Sequence, residues 1–141
     1  FRVRIGTPVS ELIKAAGGLP ENASKIIAGG PMMGKTLNSL DVPVTKGMSG
    51  LLILDESESK RKPVQNCIRC SKCISVCPMG IEPYLIMSMV EKEKCEFLDD
   101  CYINDCMECG SCSYICPANR PLLDFIRLGK VRLKRRKKKE S

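Results

Sequence analysis

Eight of the chain's ten cysteines form two runs with one spacing, Cys-x2-Cys-x2-Cys-x3-Cys-Pro. Thiolates are soft ligands that suit iron, and this spacing is typical of a protein that holds two [4Fe–4S] clusters. In such a pair, the fourth cysteine of each run ligates the other cluster, because it lies beyond the loop that the first three form. The first predicted ligand set is Cys67, Cys70, Cys73 and Cys116, and the second is Cys106, Cys109, Cys112 and Cys77.

Two other uses of these cysteines remain open at this point. Zinc also takes four thiolates, although structural zinc sites usually use two Cys-x2-Cys pairs with a longer spacer between them. Disulfides would need an oxidising compartment, and cysteines this close could not pair within one run without strain. A twelve-residue pattern that occurs twice, with its proline in register, favours iron–sulfur clusters. Cys95 and Cys101 lie outside the repeat and are predicted to be packed or free thiols.

The composition limits what else the chain can do. Its 141 residues allow one domain or two small ones, and its first residue, Phe1, suggests a piece of a longer chain. Aromatic residues make up only 4% of the chain, so metal–thiolate bonds are expected to supplement a small core. No run of eighteen apolar residues predicts a membrane span. Histidine is absent and no paired carboxylates mark a site, so acid–base catalysis is not indicated.

The net charge of +7 is concentrated at the end of the chain. Residues 120–141 carry ten Lys and Arg against Asp124 and Glu140, whereas residues 1–119 are nearly neutral. Residues 129–141 form a block of like charge that is predicted to be a basic tail, disordered when free. The tail could be merely solvated, or could contact an anionic membrane surface or an acidic protein. Nucleic acid is the least favoured partner, because the tail has no aromatic residue for base stacking.

Residues 1–54 contain no cysteine and predict a small mixed α/β unit. Residues 1–5 alternate apolar and basic side chains, which indicates a half-buried strand. Thr7 is predicted to cap a helix with Pro8 at its first position, and Gly17 and Gly18 are predicted to end it.

Two short apolar runs in the same unit, residues 26–28 and 51–54, predict central strands. Between them, residues 29–34 are rich in glycine and predict a turn, with a ligand-binding role left open. Residues 55–66 are polar, carry charges of both signs and predict a linker.

Residues 67–128 form the second predicted unit, in which each cysteine run is followed by a proline that can open a helix. Pro83 precedes residues 84–93 and Pro121 precedes residues 122–128. The apolar faces predicted to cover the clusters are Ile86, Met89 and Val90 in the first helix and Leu122, Leu123, Phe125 and Ile126 in the second. The two halves superpose at a shift of 39 residues, which predicts an internal pseudo-two-fold.

These residues resemble a known family. The second unit resembles a two-cluster bacterial-type ferredoxin domain, and the residues around both cysteine runs are similar to those in the C subunits of Rnf electron-transport complexes. The first unit is similar to the soluble-ligand-binding β-grasp domain of those subunits, through residues 4–8, 29–34 and 43–50. The resemblance thus implies an α+β fold, in which a β-grasp domain precedes a ferredoxin domain with two [4Fe–4S] clusters.

The resemblance also implies a function. In that family a flavin- and NADH-binding domain lies upstream, so FMN and NADH are expected only outside this sequence. The complex sits at the cytoplasmic face of the bacterial inner membrane, exchanges electrons between ferredoxin and NAD, and couples this to ion translocation. The chain would then be a peripheral electron carrier whose partners are the other subunits and a ferredoxin-type protein. An iron–sulfur adapter of a soluble flavin dehydrogenase or of a heterodisulfide-reductase-like complex is the alternative, as is a zinc-bound structural or nucleic-acid module.

Overall fold

The computed structural model describes residues 1–140. The chain divides into two compact units, Phe1–Arg61 and the residues from Lys62 onward. The first unit combines a three-stranded antiparallel sheet with helices, and the second is helical. The chain is therefore of the α+β class, with all ten cysteines in the second unit.

The sheet of the first unit has β1 (Ala23–Ala28) at its centre, between β2 (Lys35–Thr36) and β3 (Leu51–Asp55). Both predicted apolar runs are strands, but only β1 is central, since β3 lies at an edge of the described sheet. The glycine-rich segment forms the turn between β1 and β2. Gly34 is required there because a Cβ would lie 2.4 Å from the Ile27 side chain and 2.9 Å from the Ala28 carbonyl oxygen.

Helix α1 spans Val9–Ala15 and buries Val9 and Ile13. The prediction that Thr7 caps this helix is wrong: Pro8 occupies the N-cap position, and no side chain caps the first turn. The first amide groups of the helix bond to backbone carbonyls instead, at 3.0 Å from Val9 N to Val42 O and 2.9 Å from Ser10 N to Leu40 O. A glycine pair with positive φ follows the helix, as predicted.

Residues 1–5 do not form the predicted strand. The side chains of Phe1, Val3 and Ile5 are exposed, and no strand pairs with this segment in the described sheet. An alternating pattern gives only a tendency, because a strand is stable only when a neighbour completes its hydrogen bonds.

The predicted linker is partly folded. Asp55 ends β3, and its side chain accepts a hydrogen bond from Glu58 N at 2.9 Å, which caps the single-turn helix α2 (Glu56–Ser59). This bond lowers the pKa of Asp55. Helix α2 is tied to β1, since Lys25 Nζ donates to Ser59 O at 3.0 Å. Polar composition alone concealed this contact.

The second unit contains four α-helices and two short 3-10 helices. The α-helices are α3 (Lys72–Ser75), α4 (Pro83–Glu91), α5 (Ser111–Ile115) and α6 (Leu122–Glu140), and the 3-10 helices are Cys95–Phe97 and Ile103–Asp105. Pro83 is the first residue of α4, as predicted. The core between α4 and α6 consists chiefly of Ile86, Met87, Val90, Leu98, Ile103, Leu122, Ile126 and Leu133. The predicted apolar faces therefore are the packed faces.

Helix α6 continues where the sequence predicts a disordered tail. Gly129 does not end the helix, because it lets α6 approach its neighbours: a Cβ there would lie 2.7 Å from the side chains of Ile103 and Val90. Leu133, one turn further, is buried and anchors the extension. Cations in the last turns also favour the negative end of the helix dipole. Ser141, the last residue of the predicted tail, lies outside the described residues.

No helix within residues 1–140 combines the length and the apolar character that crossing a membrane requires.

Candidate metal centre

The sequence repeat is reproduced in the backbone of the two cysteine loops. Three pairs of residues, each 39 apart, have positive φ: Arg69 and Glu108 (52° and 58°), Ser71 and Gly110 (59° and 84°), and Gly80 and Asn119 (65° and 51°). Four of the six are not glycine, although the left-handed conformation costs such residues roughly 1–2 kcal/mol. Both loops therefore hold the same strained conformation, which the surrounding structure must stabilise.

This conformation turns backbone amide groups toward the cysteines. Successive residues that alternate between right- and left-handed backbone form a concave set of N–H groups, which binds anions and occurs at many iron–sulfur sites. In the second loop Glu108 N donates to Cys106 Sγ at 3.4 Å. The loops are thus built to receive an anionic group held by thiolates.

A short helix follows each loop and starts with the same bonds. Ile74 N donates to Ser71 O at 2.9 Å at the start of α3, and Ser113 N donates to Gly110 O at 3.1 Å at the start of α5. Each helix places the third cysteine of its run, Cys73 or Cys112, in a buried position.

Two cavities of similar size lie beside the loops, and each is lined by four thiols. The first, with an empty volume of about 380 Å³, is lined by Cys67, Cys70, Cys73 and Cys116. The second, of about 320 Å³, is lined by Cys106, Cys109, Cys112 and Cys77. Each volume includes the opening to solvent. In both cavities, three thiols come from one run and the fourth comes from the other run.

The donor chemistry fits an iron–sulfur cubane. A [4Fe–4S] cluster takes four cysteine thiolates, one for each iron. Within residues 1–140 no three Cys, Asp or Glu side chains converge tightly enough to hold a single metal ion. A cubane does not demand that convergence, since its thiolates bind different irons around one cube.

Burial keeps several of these thiols protonated until a metal binds. It raises the pKa of Cys73 and Cys106, and raises the pKa of Cys112 to about 11. Cys109 differs, because a hydrogen bond with Ser111, whose Oγ lies 3.5 Å from its Sγ, lowers the pKa of Cys109. Metal binding must therefore release protons from the buried thiols.

The second loop is fixed to α6 by an acidic residue that the sequence analysis did not single out. Arg127 Nε and Lys130 Nζ lie 2.9 Å and 3.2 Å from the carboxylate oxygens of Glu108. Burial alone would raise the pKa of Glu108, but the hydrogen bonds from Arg127 and Lys130 outweigh it and lower this pKa. Lys130 also donates to Cys106 O at 2.6 Å, so α6 holds the loop at two points.

The remaining site features follow from tertiary packing. Arg120 and Tyr84 line the first cavity, and only the glycine at position 110 signalled the special backbone in the sequence. Cys95 and Cys101 line neither thiol-lined cavity. Cys101 is half-buried, and this burial raises its pKa.

The loops and cavities define the class of the second unit, and family models agree. Residues 65–80 and 103–119 match the 4Fe-4S binding domain, and residues 1–36 match the SLBB domain. The second unit is a ferredoxin-type 4Fe–4S domain.

Curated relatives, all of them C subunits of their complexes, then place the chain more narrowly. It is 42% identical over 108 residues to that of the Na(+)-translocating ferredoxin:NAD(+) oxidoreductase complex of Acetobacterium woodii, an alignment of 77% of this chain and 24% of that protein. It is 49% identical over 84 residues to that of the ion-translocating oxidoreductase complex of Yersinia enterocolitica, covering 59% and 12%. It is 41% identical over 91 residues to that of the proton-translocating ferredoxin:NAD(+) oxidoreductase complex of Clostridium ljungdahlii, covering 64% and 20%.

The predicted resemblance to the C subunits of Rnf complexes is confirmed by these relatives. The chain spans about a quarter of their length or less.

Proposed function

We propose that the second unit binds two [4Fe–4S] clusters and relays single electrons between them. Cys67, Cys70, Cys73 and Cys116 are the ligands of the first site, and Cys106, Cys109, Cys112 and Cys77 are those of the second. The observation that carries this proposal is that each thiol-lined cavity takes three cysteines from one run and one from the other. The clusters, when bound, accept and donate one electron each.

The protein's own contribution is to position, cover and tune. The positive-φ loops fix the first three thiols and direct amide groups at them, and α3 and α5 bury the third. Leu122 covers the first cavity, and Leu123 and Ile126 cover the second. Because these groups barely move when an electron arrives, the pair can transfer charge without rearranging the protein.

We extend the proposal to the rest of the chain. Residues 1–54 are a soluble-ligand-binding β-grasp domain, supported by the SLBB match and the antiparallel sheet. The division near residue 62 supports a separate ferredoxin domain up to residue 128. Residues 55–66 connect the two, with α2 packed on the first, and residues 129–141 are a basic extension.

The relatives' names support a place in an ion-translocating oxidoreductase complex. In this setting the chain passes electrons between a flavin and NADH site upstream and ferredoxin-side partners, and the complex couples this to ion transport. Other subunits are its partners. It works peripherally at the cytoplasmic face of the inner membrane, where the exposed cations of α6 can contact anionic lipid.

Anaerobic reconstitution with iron and sulfide tests the proposal. The expected product is brown, contains about eight iron and eight sulfide per chain, and shows electron paramagnetic resonance (EPR) signals from two interacting clusters on reduction. A colourless protein with about two zinc ions would overturn it, as would a chain that takes up no sulfide.

A further inference from the structure

The two sites differ at one position of the repeat that lines both cavities. Ile81 and Arg120 are 39 residues apart and occupy equivalent places after their cysteine runs. Ile81 lines the second cavity and is buried, whereas Arg120 lines the first. No charged side chain lines the second cavity in the described part of the chain. The equivalent position is therefore apolar at one site and cationic at the other.

Arg120 is held in place by Glu91. Its Nη2 lies 2.8 Å and 2.9 Å from the two carboxylate oxygens. The Arg120 side chain is 15% exposed and that of Glu91 is 39% exposed. Glu91 lines neither thiol-lined cavity, so the guanidinium is the nearer of the two charges to the cysteines. The ion pair thus presents its positive end to the first site.

A second arginine, Arg69, also lines the first cavity. It is exposed, so water and salt screen its charge more strongly than that of Arg120. Its charge has the same sign, so it adds to the effect of Arg120 and does not oppose it.

Exposure of the thiols adds to this difference. Cys67 and Cys70 are exposed, whereas no cysteine of the second site is. Reduction adds negative charge to a cluster, and both a nearby cation and water stabilise that charge. Both effects raise the reduction potential of the first site.

Groups near the second site oppose this difference only in part. The contacts to its sulfurs, from Ser111 Oγ and Glu108 N, are 3.5 Å and 3.4 Å long and involve dipoles rather than full charges. Arg127 and Lys130 approach the second loop, but both are paired with Glu108. An arginine in the cavity wall is the stronger influence.

We propose that Arg120 makes the first site the more easily reduced of the two, and that Glu91 limits the size of this effect. This inference rests on the proposed function. An electron that reaches the second site then passes downhill to the first. Since the first site has the exposed cysteines, it is the point at which the domain exchanges electrons with a separate redox protein.

An EPR-monitored redox titration of the reconstituted 141-residue chain tests the proposal. Arg120→Gln should lower the higher of the two midpoint potentials by about 59 mV or more, a tenfold change in the reduced-to-oxidised ratio. Glu91→Gln should raise that same potential and leave the lower one in place. A purely structural role for the ion pair would not give shifts of opposite sign.

Asp99→Asn is the matched control, because it removes one negative charge from an ion pair with Lys137 that lines neither cavity. It should shift neither potential. Movement of the lower potential in the Arg120 and Glu91 variants, shifts of the same sign, or loss of the first cluster from both would overturn the inference. A wild-type chain that binds no iron would instead overturn the proposed function.

Discussion

The two cysteine loops share one backbone and differ in the charges that surround it. Positions 69 and 108 both have positive φ, yet one is an exposed arginine and the other a glutamate paired with Arg127 and Lys130. Positions 81 and 120 line equivalent cavities with isoleucine and arginine. The spacing of the ligands therefore constrains the main chain, while the other side chains remain free to make the two sites unequal.

The crossed arrangement of the cysteines gives the largest predicted effect. Cys77→Ser should reduce the iron content from about eight to about four per chain, because a hydroxyl is a poor replacement for a thiolate. The EPR spectrum of the remaining cluster should match that of Cys112→Ser, which damages the same site. A match to Cys73→Ser would show that each run serves its own cluster. Cys101→Ser is the control and should retain all iron.

The contact between the end of the repeat and α6 gives the next effect. Gly129→Ala should destabilise the reconstituted chain by about 1–3 kcal/mol, because the added methyl group would overlap Ile103 and Val90. The better helix propensity of alanine, about 1 kcal/mol, reduces but does not reverse this loss. Urea unfolding followed by circular dichroism measures it. Lys134→Ala, at an exposed position of the same helix, should change stability little, and an unchanged Gly129→Ala protein would show that α6 does not pack there.

The ion pairs of the second loop should have a smaller effect. Glu108→Gln should cost about 1 kcal/mol in urea unfolding at pH 7, since it leaves Arg127 and Lys130 without their shared carboxylate at a partly exposed site. Glu96→Gln, which neutralises an exposed glutamate on the 3-10 helix Cys95–Phe97, should cost little. Equal effects of the two substitutions would remove this asymmetry between the loops.

The smallest effect concerns backbone strain in the first loop. Ser71 has φ of 59° where the second loop has Gly110. Ser71→Gly should therefore stabilise the reconstituted chain by about 1 kcal/mol, because glycine adopts this conformation without strain. Ser75→Gly, within α3, is the control and should be neutral or destabilising. Destabilisation by Ser71→Gly would mean that the serine side chain contributes more than its backbone conformation costs.

Much of the second unit could be predicted from the residues themselves. The repeated spacing indicated the grouping of the cysteines, and the apolar positions after Pro83 and Pro121 predicted the packed faces of α4 and α6. Three local predictions were wrong. Thr7 does not cap α1, residues 1–5 form no strand, and the tail from Gly129 is helical, because backbone carbonyls, a missing strand partner and close packing respectively overrode the local preference.

The sequence alone determined which residue types repeat and at what distance, because the geometry of four thiolates around one cluster leaves few spacings possible. Tertiary structure decided what surrounds them. Arg120 meets Glu91 across 29 positions, and Glu108 meets Lys130 across 22, only because α6 packs against α4 and the second loop. Charges so far apart in sequence carry no local signal, and it is their approach in the fold that makes the two sites differ.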